Sequence, residues 1–135
     1  MSDERPAKVD SEKIQLLQLA MDQAARTNTY WNIYVAVVTA IFGVLASGKA
    51  PVDKHVFKLA LSALFLVFAI GNLRAIEAVG EVRTALAAVL GAEFKEITVG
   101  LKPASEWGYR VFHGLLDAAI VACILFVKWP APSRD

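Results

Sequence analysis

Three apolar stretches dominate the chain, at 30–47 (YWNIYVAVVTAIFGVLAS), 56–73 (VFKLALSALFLVFAIGNL) and 111–127 (VFHGLLDAAIVACILFV). A hydrocarbon core about 30 Å thick is crossed by about 20 helical residues at 1.5 Å each. Each stretch comes close to that length, and three spans is the expected count. Composition agrees. Of 135 residues, 56% are hydrophobic before glycine is counted, whereas a soluble domain is about 45–50% apolar with glycine included. A small domain has little interior in which to hide that surface, so a disordered chain is excluded and a soluble monomer nearly so. The net charge of +1, from 14 basic and 13 acidic side chains, gives no field for nucleic acid. A single cysteine excludes an intrachain disulfide framework.

Aromatic residues stand where headgroups would lie: Tyr30, Trp31 and Tyr34 on the first span, Trp107 and Tyr109 ahead of the third, and Trp129 after it. From Trp107 to Trp129 a helix rises about 33 Å, one hydrocarbon core. Val44-Leu45-Ala46 has some likeness to a signal-cleavage site. The mixed charge of residues 1–29 lacks a positive leader, so the first span is expected to be retained.

The N-terminal segment and the 74–110 segment share one side and hold nine bases: Arg5, Lys8, Lys13, Arg26, Arg74, Arg83, Lys95, Lys102 and Arg110. The other side holds five: Lys49, Lys54, Lys58, Lys128 and Arg134. The positive-inside rule then puts the N-terminus in the cytoplasm and the C-terminus outside, and a bacterial inner membrane is the expected location.

The expected fold is all-α and integral to the membrane: three transmembrane helices, an amphipathic N-terminal helix, and a cytoplasmic helical segment between helices two and three. Residues 1–9 read as a flexible tail, 10–29 as the amphipathic helix, 30–128 as the three-span domain and 129–135 as a second tail. Asp10 or Ser11 can cap a helix in which Ile14, Leu17, Met21 and Ala24 recur at helical spacing. That helix either lies at the interface or continues directly into the first span. The turn-rich 48–54 segment makes the first two spans antiparallel neighbours. Residues 74–92 favour helix, with Val82, Leu86 and Val89 on one face, and either continue the second helix or lie along the interface. Gly91, Gly100 and Pro103 then break the chain before Ser105, a cap for the third span.

Ionisable groups within a span are costly and mark a site. His113 and Asp117 lie four apart on one face of the third span, with Arg110 three residues earlier. Asn72 and Arg74 on the second span, and Asn32 and Arg26 on the first, lie at the same depth. A polar cluster of His113, Asp117, Arg110, Asn72, Arg74 and Asn32 is therefore expected. It serves either as a buried clamp fixing helix register or as a proton or ion pathway. Small residues form a second pattern, with Ala36, Ala40, Gly43 and Ser47 along the first span and Gly114, Ala118 and Ala122 along the third. Such stripes permit close helix approach, within a subunit or between subunits, and these are expected to look inward with the His113 face. No catalytic residue, metal site or cofactor is expected, since no phosphate loop, nucleophile elbow or metal-ligand spacing appears.

An amphipathic helix followed by three spans resembles the small prokaryotic diacylglycerol kinases, and residues 72–81 (NLRAIEAVGE) resemble that family's signature after its second span. The resemblance implies a magnesium-ligand candidate in Glu77 and a second acid in Glu81. The spacing from Asn72 to Glu77 is one residue longer than in the family, and Phe68, Ala69 and Ile70 occupy the region of its catalytic glutamate. From the residues themselves, Glu77 reads as a helical ion-pair partner of Arg74. The expected role is a packing or assembly component of the lipid bilayer, as a homo-oligomer or beside other membrane subunits. The alternatives are a channel using His113 and Asp117 and a diacylglycerol-kinase-like lipid enzyme.

Overall fold

The structure, a computed structural model, describes residues 4–52, 54–91 and 105–130. They form α1 (Glu4–Ala46), α2 (His55–Leu90) and α3 (Glu106–Phe126), and no strand occurs among the described residues. All three helices are long and apolar enough to cross a membrane. At 1.5 Å per residue, α1 and α2 run about 64 and 54 Å, whereas α3 runs about 32 Å and matches one hydrocarbon core.

The extra length lies at one end. Trp129, just past α3, stacks on Phe42 near the end of α1, and the Lys58 ammonium at the start of α2 reaches carbonyls at the end of α3. The α1–α2 hairpin and the α3 C-terminus are therefore level. The first half of α1 and the last third of α2, past the Glu77–Arg110 contact, project beyond the α3 N-terminus as a two-helix stalk.

The seam of α2 follows a coiled-coil spacing. Its buried residues Ser62, Phe65, Ala69, Asn72, Ile76, Val79 and Arg83 step alternately by three and four, which keeps one side of the helix against its neighbour. On α1, buried Ala20, Thr27 and Tyr34 sit one heptad apart. The hydrophobic core gathers at the hairpin end, where Tyr34, Leu45, Phe65, Ala69, Ile120 and Ile124 pack with Ala50 and Val52 of the loop. Gly48 ends α1 with φ 69°, a left-handed conformation that glycine adopts without a Cβ clash. Lys54 N–H then donates to the Pro51 carbonyl at 3.0 Å, and the Lys54 carbonyl accepts from Phe57 to start α2.

Several boundaries expected from sequence shift. Residues 10–29 and 30–46 lie in one helix that runs on without a break. That helix starts at Glu4, within the segment read as a tail, because Pro6 falls in the first turn where its missing N–H costs no helical bond. Residues 74–90 likewise continue α2 without a break. Ser105 is the expected cap of α3, accepting from Gly108 N–H at 3.1 Å. The helix thus begins one turn before the apolar run from Val111. Gly100, Pro103, Lys95, Lys102 and the tail beyond Pro130 lie outside the described residues.

The apolar stripes read from sequence on the stalk only flank its seam: Leu17, Ala24 and Leu86 are half-buried beside it. Ile14, Met21, Val82 and Val89 are exposed, while Ala20, Thr27, Val79 and Arg83 are buried. Once α1 and α2 are one helix each, the seam is set by the register of the hairpin core, and it continues outward regardless of which face is the more apolar.

Candidate functional site

Where α3 crosses α1, three polar side chains meet inside the bundle. Asp117 accepts a hydrogen bond from the Tyr34 hydroxyl at 2.5 Å. Its second oxygen lies 2.9 Å from His113 Nδ1. Both distances are those of charge-assisted hydrogen bonds. The i,i+4 spacing of His113 and Asp117 puts them on one α3 face, and the heptad step from Thr27 turns Tyr34 toward that face. His113 is fully buried, and the Asp117 side chain is 14% exposed.

Aromatic rings close the site. Trp31 lies over His113 at 5.5 Å between centroids and also meets Tyr34, Phe112 and Tyr109. Tyr34 meets the His113 ring edge-on at 4.8 Å and packs on Phe65 and Phe68. Removing one member would leave a buried polar group short of a hydrogen-bond partner, so the three groups hold one another in place.

The rest of the expected cluster divides. Arg110 and Arg74 do not reach Asp117. Both pair with Glu77 on α2, at 2.7 Å from Arg110 Nε and 3.4 Å from Arg74 Nη1. Glu77 thereby ties α2 to α3 one turn nearer the stalk. Asn72 is buried on the α2 seam, level with His113 by the register of Glu77 against Arg110 and Lys58 against Leu125. Among the described residues Asn72 Nδ2 and His113 Nε2 both lack a hydrogen-bond partner. Asn32 is exposed on the far side of α1 and takes no part in the cluster.

The small residues also lie elsewhere than expected. Ala36, Ala40 and Gly43 on α1, and Gly114, Ala118 and Ala122 on α3, are all exposed on the outside of the bundle. A Cβ added at Gly43 or Gly114 would meet nothing within 4 Å. The inward face of α3 belongs to His113, Asp117, Ile120 and Ile124. Gly114 and Ala118 each follow a cluster residue by one position, and that step of about 100° carries them off the contact face.

Tyr34 and Glu77 were missing from the cluster read in the sequence. Tyr34 had the look of a headgroup aromatic beside Tyr30 and Trp31, and its heptad spacing from Thr27 was the signal that could have found it. Glu77 does pair with Arg74 as its spacing indicates, but its stronger partner is on another helix.

At positions implied by the diacylglycerol-kinase resemblance, Glu77 is engaged by two guanidiniums. Glu81 is exposed, and Phe68 packs against Tyr34. Among the described residues no three His, Cys, Asp or Glu side chains come together as a metal site. No family model, curated protein or solved structure matches the chain.

Proposed function

We propose that this chain is a small integral membrane protein that works by packing and assembly, as a homo-oligomer or beside other membrane subunits. The observation that carries the reading is the outward placement of Ala36, Ala40, Gly43, Gly114, Ala118 and Ala122. Small side chains on lipid-facing helix surfaces let a neighbouring helix approach closely. The groups able to do chemistry support the same reading. Tyr34, His113 and Asp117 bond to one another behind aromatic rings and join α1 to α3. Their arrangement is that of a clamp.

The two-helix stalk lies on the side that the base count assigns to the cytoplasm, with the hairpin and the C-terminus outside, in an inner membrane of a bacterium. Purification from membranes in mild detergent, followed by mass measurement of the protein in nanodiscs, tests the assembly role. An oligomer or a stoichiometric membrane partner is expected. A strictly monomeric protein that carries no partner overturns the reading.

A further inference from the structure

Among the described residues Arg83 is the sole Asp, Glu, Lys or Arg that the fold buries, at 9% exposure. It stands on the α2 seam after Ile76 and Val79, and its Nε is closed off from solvent without an acceptor. No hydrogen bond or ion pair joins its guanidinium to the rest of the described residues. Register gives the reason. The Tyr34 ring packs on Phe65 and Phe68, and counting back along the antiparallel α1 sets Arg83 opposite residues 16–19 (LLQL). One turn away on α2 itself stand Val79, Gly80, Leu86 and Ala87. Neither set holds an acid. Asp22 and Glu81 are exposed, and the Glu77 carboxylate is engaged by Arg74 and Arg110.

A buried charge is costly unless an opposite charge or strong acceptors meet it. Depth indicates where such an acceptor comes from. The Glu77–Arg110 contact fixes α2 against α3. Arg83 lies six residues past Glu77, about 9 Å along α2, and Glu106 lies four before Arg110, about 6 Å along α3. The Arg83 backbone therefore stands about 3 Å beyond the first residue of α3. With α3 across one hydrocarbon core, that level is the headgroup layer, which adds about 5–8 Å on each face of the bilayer. Phosphate oxygens are the anionic acceptors of that layer. Arginine suits the place, because its methylene stem tolerates an apolar seam and its planar fork matches two phosphate oxygens at once.

We propose that Arg83 is a phosphate-binding residue, which takes at the seam of the stalk either the phosphate of a membrane phospholipid or free inorganic phosphate. The bound oxygens supply the acceptors that the chain itself withholds, so the site is complete only with its ligand. A basic group between helices at the membrane surface is a recurring way to hold a lipid headgroup. The proposal needs the chain to lie in a membrane. It does not need the chain to assemble with another.

Native mass spectrometry of the full chain in dodecyl maltoside tests this, with dioleoylphosphatidylglycerol, a phosphate-free glucosyl diacylglycerol and inorganic phosphate as the three probes. The wild type is expected to retain phosphatidylglycerol in preference to the glucosyl lipid. Arg83→Gln should weaken that retention about tenfold or more, and Arg83→Lys, which keeps the charge and loses the fork, should fall between. Arg26→Gln, at an exposed arginine of the same end, should leave it unchanged. Inorganic phosphate that displaces the lipid assigns the site to free phosphate, and lipid held in its presence assigns it to the headgroup. Equal retention by wild type and Arg83→Gln overturns the proposal, as does a glucosyl lipid held as tightly as the phospholipid. Melting in phosphate-free detergent gives the second measurement. There Arg83→Gln and Arg83→Met should be at least as stable as wild type, because each removes an unpaired buried charge. Added phosphatidylglycerol should raise the melting temperature of the wild type alone. A variant that melts well below wild type without phosphate shows an acceptor within the chain and overturns the proposal. A monomer that retains phospholipid through Arg83 removes the assembly reading and leaves this one standing. An oligomer whose lipid retention ignores Arg83 does the reverse.

Discussion

The Tyr34 hydroxyl and the Asp117 carboxylate, 83 positions apart, share a hydrogen bond of 2.5 Å. It is a direct polar link between the first helix and the last, and the same carboxylate holds His113 at 2.9 Å. Asp117 therefore organises two elements from one position.

Tyr34→Phe keeps the ring contacts with Phe65, Phe68 and His113 and removes only the donor. Its expected cost is about 1–3 kcal/mol in unfolding free energy, the range for leaving a buried polar group short of a partner. Asp117→Ala should cost more, because it strands both Tyr34 and His113. The double variant should cost clearly less than the sum of the two. Denaturant titration in detergent, arranged as a double-mutant cycle, measures the coupling, and additive effects would show that the bond contributes little.

A clamp also makes a prediction about conduction. Reconstituted into liposomes, the protein should give no proton flux above that of empty vesicles, and Asp117→Asn should not alter it. Flux in the wild type that is lost on Asp117→Asn would instead support a pathway through the His113–Asp117 pair.

The ion pair of Glu77 with Arg110, at 2.7 Å, fastens α2 to α3. Glu77→Gln should loosen that contact, with a lower melting temperature in detergent and faster amide hydrogen exchange in the first turns of α3. Unchanged melting and exchange would show that the pair contributes little, as exposed pairs often do.

The end of α3 depends on two side chains from outside its hydrogen-bonded turns. Lys58 Nζ donates to the carbonyls of Leu125 and Val127 at 3.1 and 3.2 Å. Trp129 Nε1 donates to the Cys123 carbonyl at 3.1 Å. Lys58 thus serves carbonyls at the helix end, where intrahelical donors run out, and its charge suits the negative end of the helix dipole, while Trp129 is a second donor to a carbonyl that already accepts from Val127 N–H. Lys58→Met should speed amide hydrogen exchange in the last turn of α3 and cost about 1–2 kcal/mol. Exchange in α1 should be unchanged, and equal effects throughout would indicate general unfolding.

The sequence alone determined that the chain is helical, that it has three segments suited to a membrane, and where the third begins. Those properties are local. Apolar length, turn residues at 48–54 and the Ser105 cap each act within a few positions of chain. His113 and Asp117 could likewise be paired in advance, since four residues apart on a helix means one face. Register between helices is not local, and it decided the rest. It brought Tyr34 to Asp117 and turned Arg110 to Glu77. It buried Arg83 and Thr27 in the stalk while leaving Ile14 and Met21 outside. A rotation of one residue, about 100°, separates an inward side chain from an outward one. The same small residues therefore read equally well as a core or as an outer surface until the helices are packed. The fold turned Gly43 and Gly114 outward, because the bulky Tyr34, Leu45, Phe65 and Ile124 bury more area in the one core that three helices can share.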